Sequence, residues 1–180
     1  MNDTHSNEAI RLIDLANQMF RQFITPSARW RMDCVETNSK ITLTVTPPIN
    51  EYGKFIGTGG VMFRAIRTIL TQAGSKAGLE IRYTVLKPNG RENLDKPRFE
   101  AKEWKIEPLK NLSALICANI FGSGEINAQT AKTSAAIEIV ALEAKPGAQL
   151  AELNAALSVL FHAIGKANGI SEVVIEVVTP

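Results

Sequence analysis

The sequence contains little cysteine and little histidine, and this scarcity excludes several kinds of site. Among its 180 residues, the only cysteines are Cys34 and Cys117 and the only histidines are His5 and His162. A disulfide scaffold needs more cysteines in a shorter chain, so both are predicted to be buried thiols. No Cys or His pair has the spacing of metal ligands, which excludes a structural zinc site. We therefore expect no bound metal.

Long apolar runs are also missing. The longest stretch without a charged residue, Asn111 to Gly124, has 14 residues, whereas a membrane-spanning helix needs about 20 apolar residues. Residues 1–20 contain Asp3, Glu8 and Asp14 and lack the basic start and apolar segment of a secretory signal. The sequence thus predicts a cytoplasmic protein without a membrane partner.

Motifs for nucleotide binding and for catalysis are absent as well. Neither GxxxxGK[ST] nor GxGxxG occurs, and neither histidine lies beside a nucleophile. The paired carboxylates Glu100 and Glu103 lie in a charged segment, where they are expected to be solvated. We predict that the protein is not an enzyme and uses no cofactor.

Charge is unevenly distributed along a chain whose composition, 45% hydrophobic and 21% charged, is that of an ordinary folded protein. Residues 1–100 carry a net charge of +4 and residues 101–180 a net charge of −2. Between Lys54 and Arg98 there are nine basic and three acidic residues. A local excess of this kind suits a polyanionic partner, and its alternative is a solvated surface.

Hydrophobic periodicity predicts an α+β protein. In the first half we expect a helix, a strand hairpin, a short helix or turn, a helix and a strand, at residues 7–23, 30–45, 49–56, 61–73 and 79–85. In the second half we expect helices and strands at residues 109–120 (helix), 137–139 (strand), 150–167 (helix) and 173–177 (strand). Nine of the seventeen residues from Lys87 to Glu103 are charged, which is typical of a linker. The predicted organisation is a domain at 1–87, a linker at 88–103 and a domain at 104–180.

The two halves also resemble each other in sequence. At an offset of 91 residues, six positions of the first half match apolar or glycine positions of the second: Ala65, Ile66, Ile69, Leu70, Gly74 and Gly78 fall on Ala156, Leu157, Leu160, Phe161, Gly165 and Gly169. At the same offset, Gly57–Gly60 falls on Ala148–Ala151. The second half therefore keeps the packing pattern and lacks the glycines.

The segment Gly57-Thr58-Gly59-Gly60 is the strongest candidate for a binding site. Three glycines in four positions permit left-handed backbone angles and the close approach of another chain. The segment leads into the helix that begins at Val61, whose first amides have no partners within the helix and attract anions. The candidate residues for nucleic-acid binding are Lys54, Ile56, Gly57, Thr58, Gly59, Gly60, Arg64 and Arg67.

The stretch Phe55–Leu70, within the order of elements from residue 7 to residue 86, resembles the type II KH domains of small bacterial RNA-binding proteins. In that family an apolar residue precedes GxxG, and an Ala-aliphatic-Arg-Thr run follows, as in Ala65-Ile66-Arg67-Thr68. The resemblance implies tandem KH-like modules of order α-β-β-α-α-β, each a three-stranded sheet packed by helices. The middle positions of the family's loop are usually polar and often basic, whereas here they are Thr58 and Gly59, which weakens the attraction for phosphate.

The resemblance also implies a function. The GxxG loop of the family clamps the backbone of about four unpaired nucleotides, with the bases over an aliphatic groove that Ile56 and the strand at Leu79–Tyr83 would line here. We therefore expect a protein that binds single-stranded RNA, or single-stranded DNA, through the loop and the helix N-terminus. The alternative is a KH-fold assembly scaffold that binds no nucleic acid. The second half, which has no GxxG, is expected to pack against the first half, a protein partner or another copy.

Overall fold

The computed structural model describes residues 6–25, 28–88, 106–131, 134–141 and 148–179. The first half contains helix α1 (Asn7–Phe23), strands β1 (Arg31–Thr37) and β2 (Lys40–Thr46), helices α2 (Tyr52–Ile56) and α3 (Val61–Lys76), and strand β3 (Glu80–Val85). A 3₁₀ turn at Thr58–Gly60 separates α2 from α3. The second half contains helix α4 (Glu107–Ile120), strands β4 (Gly124–Ala131) and β5 (Ser134–Ala141), helix α5 (Ala148–Ala167) and strand β6 (Glu172–Val178).

The molecule belongs to the α+β class and has two mixed three-stranded sheets of the same topology. Sheet 1 has the order β1-β2-β3, with β1 antiparallel and β3 parallel to the central strand. Sheet 2 has the order β4-β5-β6 with the same directions. The threonines of β2 and the glutamates of β6 alternate with buried aliphatic residues, so each sheet has one apolar face.

The repeat seen in the sequence extends to hydrogen bonds and to packing. After α3 the amide of Leu79 donates to the Gly74 carbonyl at 2.8 Å, and after α5 the amide of Ile170 donates to the Gly165 carbonyl at 2.9 Å. A Cβ atom on Gly74 would lie 2.6 Å from Ile81 Cγ1, which shows how closely helix and sheet approach. The sequence predicts a helix that ends at Ala73, but α3 continues to Lys76.

The helices lie between the two sheets and form a continuous core. Helix α3 packs against α5 and α1 packs against α4, while the apolar faces of the sheets cover the other sides of these helices. Polar contacts between described residues also join the halves: Thr68 Oγ1 donates to Glu152 Oε1 at 3.2 Å, and Asn168 Nδ2 donates to the Gln22 carbonyl at 3.2 Å. The second half therefore packs against the first, as expected.

Helix α1 follows directly from local sequence. Ser6 caps its N-terminus, since Ser6 Oγ accepts a hydrogen bond from the Ala9 amide at 3.2 Å. Its apolar residues recur at helical spacing and are buried, and Phe20 contacts both Trp30 at 5.5 Å and Phe55 at 5.2 Å between ring centroids. This aromatic cluster fixes α1 to sheet 1 and to α2.

Several expectations fall outside the described residues or were incomplete. Most of the predicted linker at 88–103, and any short helix within residues 142–147, cannot be compared with the structure because those residues are not described. Strand β4 was not assigned from the sequence, although the order of elements required a strand there. Within the described residues, no helix has the length and apolarity needed to cross a membrane.

Candidate nucleic-acid interface

Helix α2 brings the chain to the glycine segment. Pro48 ends the extended segment after β2, and its carbonyl accepts hydrogen bonds from the amides of Glu51 and Tyr52, both at 3.0 Å. Phe55 is completely buried, with its ring 5.2 Å from that of Phe20 and 5.3 Å from that of Phe23. These contacts anchor α2, so that the residues after Ile56 project from a fixed base.

The glycine segment forms a tight turn that only this composition allows. Gly57, Gly59 and Gly60 all have positive φ, at 70°, 60° and 77°. Gly57 combines φ 70° with ψ 170°, a region that is essentially restricted to glycine. A Cβ atom there would lie 2.8 Å from the Met62 amide nitrogen. Both the backbone angles and the space therefore require glycine at position 57.

The turn faces outward and leaves amide groups available. Thr58 and Gly59 are exposed. The Gly60 amide donates to the Gly57 carbonyl at 3.1 Å and the Val61 amide donates to the Thr58 carbonyl. Within the described part of the chain, the amides of Thr58 and Gly59 donate to no acceptor. The N-terminus of α3 thus carries unpaired donors and the positive end of a 16-residue helix.

Arg64 stabilises the turn itself. Its Nη1 atom donates to the Gly59 carbonyl at 2.8 Å, one helical turn back from its own position. This bond holds the guanidinium beside the turn and occupies one of its donors. Arg64 therefore places positive charge next to the Thr58 and Gly59 amides and also fixes the turn that presents them.

Lys54 has a protein partner. Its Nζ atom lies 2.8 Å from Glu51 Oε2, and the Glu51 side chain is almost completely buried. The same carboxylate accepts hydrogen bonds from the Thr25 hydroxyl at 2.7 Å and from the Thr25 amide at 3.4 Å. Glu51 therefore joins α2 to the chain after α1, and it neutralises much of the charge that Lys54 would offer to an anion.

Arg67 is the exposed cation of the predicted set for which neither an ion pair nor a side-chain hydrogen bond is found among the described residues. It lies one turn beyond Arg64 on the solvent side of α3. Val61, the first residue of α3, is 38% exposed, and Ile56, the residue before the turn, is half-buried. The neighbourhood of the turn therefore combines free positive charge with aliphatic surface.

Two of the strand residues that were expected to line a groove are not available to a ligand. Ile81 and Tyr83 face the core, and the Tyr83 ring is stacked 5.3 Å from Phe63 and 6.0 Å from Phe20. Burial raises the pKa of the Tyr83 hydroxyl, which finds no hydrogen-bond partner within the described residues. Of the groove residues named from the sequence, Ile56 and Leu79 keep partial exposure.

Glu51 is the residue of this region that the sequence analysis missed. The sequence does contain a signal for this ion pair. An acidic residue that follows Pro47-Pro48 and precedes Lys54 by three positions has the spacing of an ion pair on a helical turn. Its burial and its bonds to Thr25 depend on how α1 and α2 meet, and this cannot be deduced from local spacing.

The second half presents a different surface at the matching positions. Residues 148–151, which match Gly57–Gly60, belong to the first turn of α5. There is consequently no glycine turn at this place in the second half.

The remaining candidate ligands do not form a metal site in the described part of the molecule. No group of three His, Cys, Asp or Glu side chains is found there at metal-binding geometry. Cys117 is buried as expected, but Cys34 is only half-buried, because it lies on the edge strand β1. Burial raises the pKa of both thiols, and the Glu36 carboxylate adds to the rise at Cys34.

Comparison with known proteins does not assign this chain to a family. No model of a protein family matches the sequence, and no curated protein matches it either.

Proposed function

We propose that the protein binds single-stranded RNA through the glycine turn at Gly57–Gly60 and the N-terminus of α3. The observation that carries the proposal is the exposed turn whose Thr58 and Gly59 amides have no acceptor in the described part of the chain. Amides at a helix N-terminus bind anions such as phosphate. Glycines let a sugar-phosphate backbone approach without obstruction by side chains.

The surroundings of the turn support a nucleic acid more than a small anion. Arg64 and Arg67 extend positive charge along α3 away from the turn, as a chain of phosphates requires. The exposed aliphatic side chain of Val61, the residue that follows the turn, offers a contact for bases. Unstacked bases are accessible in single strands, which favours these over duplexes.

The finer architecture is part of the same proposal. We infer that the halves are tandem KH-like modules, the first with a functional GxxG turn and the second without one. The shared strand order, the shared strand directions and the matching hydrogen bonds after α3 and α5 support this. The short α2 before the glycine turn agrees with the α-β-β-α-α-β order in the first half.

The double substitution Thr58→Asp with Gly59→Asp tests the proposal. Both residues are exposed, and Gly59 has left-handed angles that aspartate tolerates, so the fold should survive. Two carboxylates beside the free amides should repel phosphate and reduce affinity for a short labelled single-stranded RNA by about tenfold or more, or about 1.4 kcal/mol. Fluorescence anisotropy measures the affinity, and a thermal melt checks the fold.

The matched control adds the same charge to the second half. Gln149→Asp with Ala151→Asp places two carboxylates on exposed positions in the first turn of α5, and RNA affinity should change little. In the parent protein, log affinity should fall with log salt by about 0.7 per neutralised phosphate. If the turn variant binds as well as the parent, the turn is not the site. Failure to bind RNA or single-stranded DNA at any salt concentration would favour the assembly scaffold.

A further inference from the structure

Strand β4 is an edge strand with little protection against pairing. It is hydrogen-bonded to β5 on one side, and no other described strand pairs with its outer edge. Its eight residues include one charged residue, Glu125, and neither proline nor lysine. Exposed edges normally carry charge, proline or a covering element that prevents the addition of another strand. Apart from Glu125, β4 carries neither a charged residue nor a proline.

A groove runs between β4 and helix α4. Its volume is about 630 Å³, within the range of about 300 to 1,000 Å³ typical of ligand sites. Its aliphatic lining comes from the half-buried Ile126 and Ala128 of β4 and the exposed Ala114 of α4, and its polar lining comes from Glu107, Lys110, Asn111, Asn127, Gln129 and Glu138. The floor of the groove beside the β4 edge therefore contains the aliphatic side chains of Ile126 and Ala128 among polar ones.

The opposite face of sheet 2 is acidic. Its exposed carboxylates come from all three strands: Glu125, Glu138, Glu172 and Glu176. No lysine or arginine occurs on β4, β5 or β6. Glu138 and Glu176 are register partners on adjacent strands, and like charges in that position are destabilising. A bound cationic partner would offset this repulsion.

We propose that β4 binds an extended segment of a partner protein in which apolar residues alternate with lysine or arginine. Successive side chains of a strand point to opposite faces. A strand added at β4 would therefore direct one set of side chains onto the Ile126 and Ala128 floor and the other set beside Glu125 and Glu138. Main-chain hydrogen bonds to the edge would supply affinity, and the alternating side chains would supply specificity.

Charge distinguishes this occupant from a second copy of the chain. Pairing of β4 with β4 of another molecule would join two acidic faces into one sheet. Because the strands of sheet 2 carry no cation, nothing on these strands would neutralise the added carboxylates. The complementary occupant is thus a basic segment of a different protein.

Labelled peptides test the proposal on the full chain. A peptide of alternating valine and lysine should bind, and one of alternating valine and glutamate should not. A third peptide with the valines and lysines in a non-alternating order should bind at least about tenfold more weakly than the first. Equal binding of the two valine-lysine peptides, or binding of neither, would overturn the proposal.

Main-chain pairing has a separate readout. The N–H groups of an extended strand point alternately to its two sides, so alternate residues face the partner strand. We expect N-methylation of every valine or of every lysine to abolish binding in one case and to preserve it in the other. If both methylated peptides bind like the parent, no strand is added at β4.

Protein variants locate the site. Ala114→Trp should fill the groove and weaken the valine-lysine peptide by about tenfold, while Ala118→Trp, also exposed on α4 but outside the groove, should not. Glu138→Gln should weaken binding and Glu8→Gln on α1 should not. Equal effects of the paired variants contradict the proposal. So does self-association of the chain in sedimentation that Ala114→Trp removes, since a second copy would then be the occupant.

Discussion

The two halves of the molecule differ most where their sequences are aligned on glycine. At Gly57–Gly60 the first half bends through three residues with positive φ, and at the matching residues 148–151 the second half is helical. Helices α3 and α5 otherwise match in their buried positions and in the hydrogen bonds after their ends. The two halves thus share an architecture but differ in the segment that leads into the helix. The segment before α3 exposes unpaired amides, whereas the matching residues belong to the first turn of α5.

The outward faces of the two sheets also differ, in their charge. On sheet 1 four charged residues form ion pairs: Lys40 Nζ lies 2.8 Å from Glu80 Oε1, and Arg31 Nη2 lies 2.8 Å from Asp33 Oδ1. The hydrogen bond from Lys40, together with its charge, lowers the pKa of Glu80. On sheet 2 no basic residue lies on the strands to balance the glutamates. The halves therefore present surfaces of different charge.

The largest expected effect concerns whether the halves unfold together. Leu70 and Phe161 occupy matching positions and are both completely buried. Leu70→Ala and Phe161→Ala should each lower the free energy of unfolding by about 4 kcal/mol. Because the helices of both halves share one core, each variant should shift a single transition in denaturant, followed by circular dichroism and by tryptophan fluorescence. Two transitions, only one of them shifted, would show that the segment at 88–103 separates independent domains.

A smaller effect on stability is expected to differ between two glycines of the turn. Gly57→Ala forces a Cβ atom to within 2.8 Å of the Met62 nitrogen in a glycine-only conformation, and it should cost about 3 kcal/mol. At Gly59 a Cβ atom would meet nothing within 4 Å, so Gly59→Ala should cost about 1 kcal/mol, the penalty of left-handed angles. Thermal melts of the two variants compare them. Equal destabilisation would contradict the described geometry of the turn.

The smallest expected effect compares two ion pairs. Glu51→Ala removes a buried carboxylate from Thr25 and Lys54 and should cost about 2 kcal/mol, because hydrogen-bonding groups lose their partner. In the second half, Glu107→Ala breaks an exposed 3.7 Å pair with Lys110 and should cost less than about 0.5 kcal/mol. Chemical denaturation measures both. A similar loss in the two variants would mean that Glu51 does not join α1 to α2.

Much of the fold could be predicted from the sequence because its strands alternate strongly. In β2 and β6, aliphatic residues alternate with threonine or glutamate, and the matching helices repeat at an offset of 91 residues. Strand β4 was missed because Gly124–Ala131 contains small and polar residues with a single large aliphatic side chain, Ile126. Its strand conformation is set by pairing with β5, which is a tertiary interaction.

The candidate site could be located but not assembled from the sequence. The glycine composition predicted a turn before Val61, and the structure describes that turn. The partners of the basic residues could not be deduced, because Arg64 bends back to the Gly59 carbonyl and Lys54 meets a carboxylate that becomes buried only when α1 and α2 pack. Sequence spacing does not distinguish these cations, whereas their contacts in the structure make each available to an anion to a different extent.

The placement of α3 has a consequence for kinetics. The helix is held between sheet 1 and α5, and Arg64 ties the turn ahead of it, so the donors at this end do not have to be ordered when an anion arrives. Association would then depend mainly on encounter and long-range attraction, with little delay from rearrangement. Substitutions that loosen this arrangement should therefore slow association, because the donors would then have to be ordered during binding.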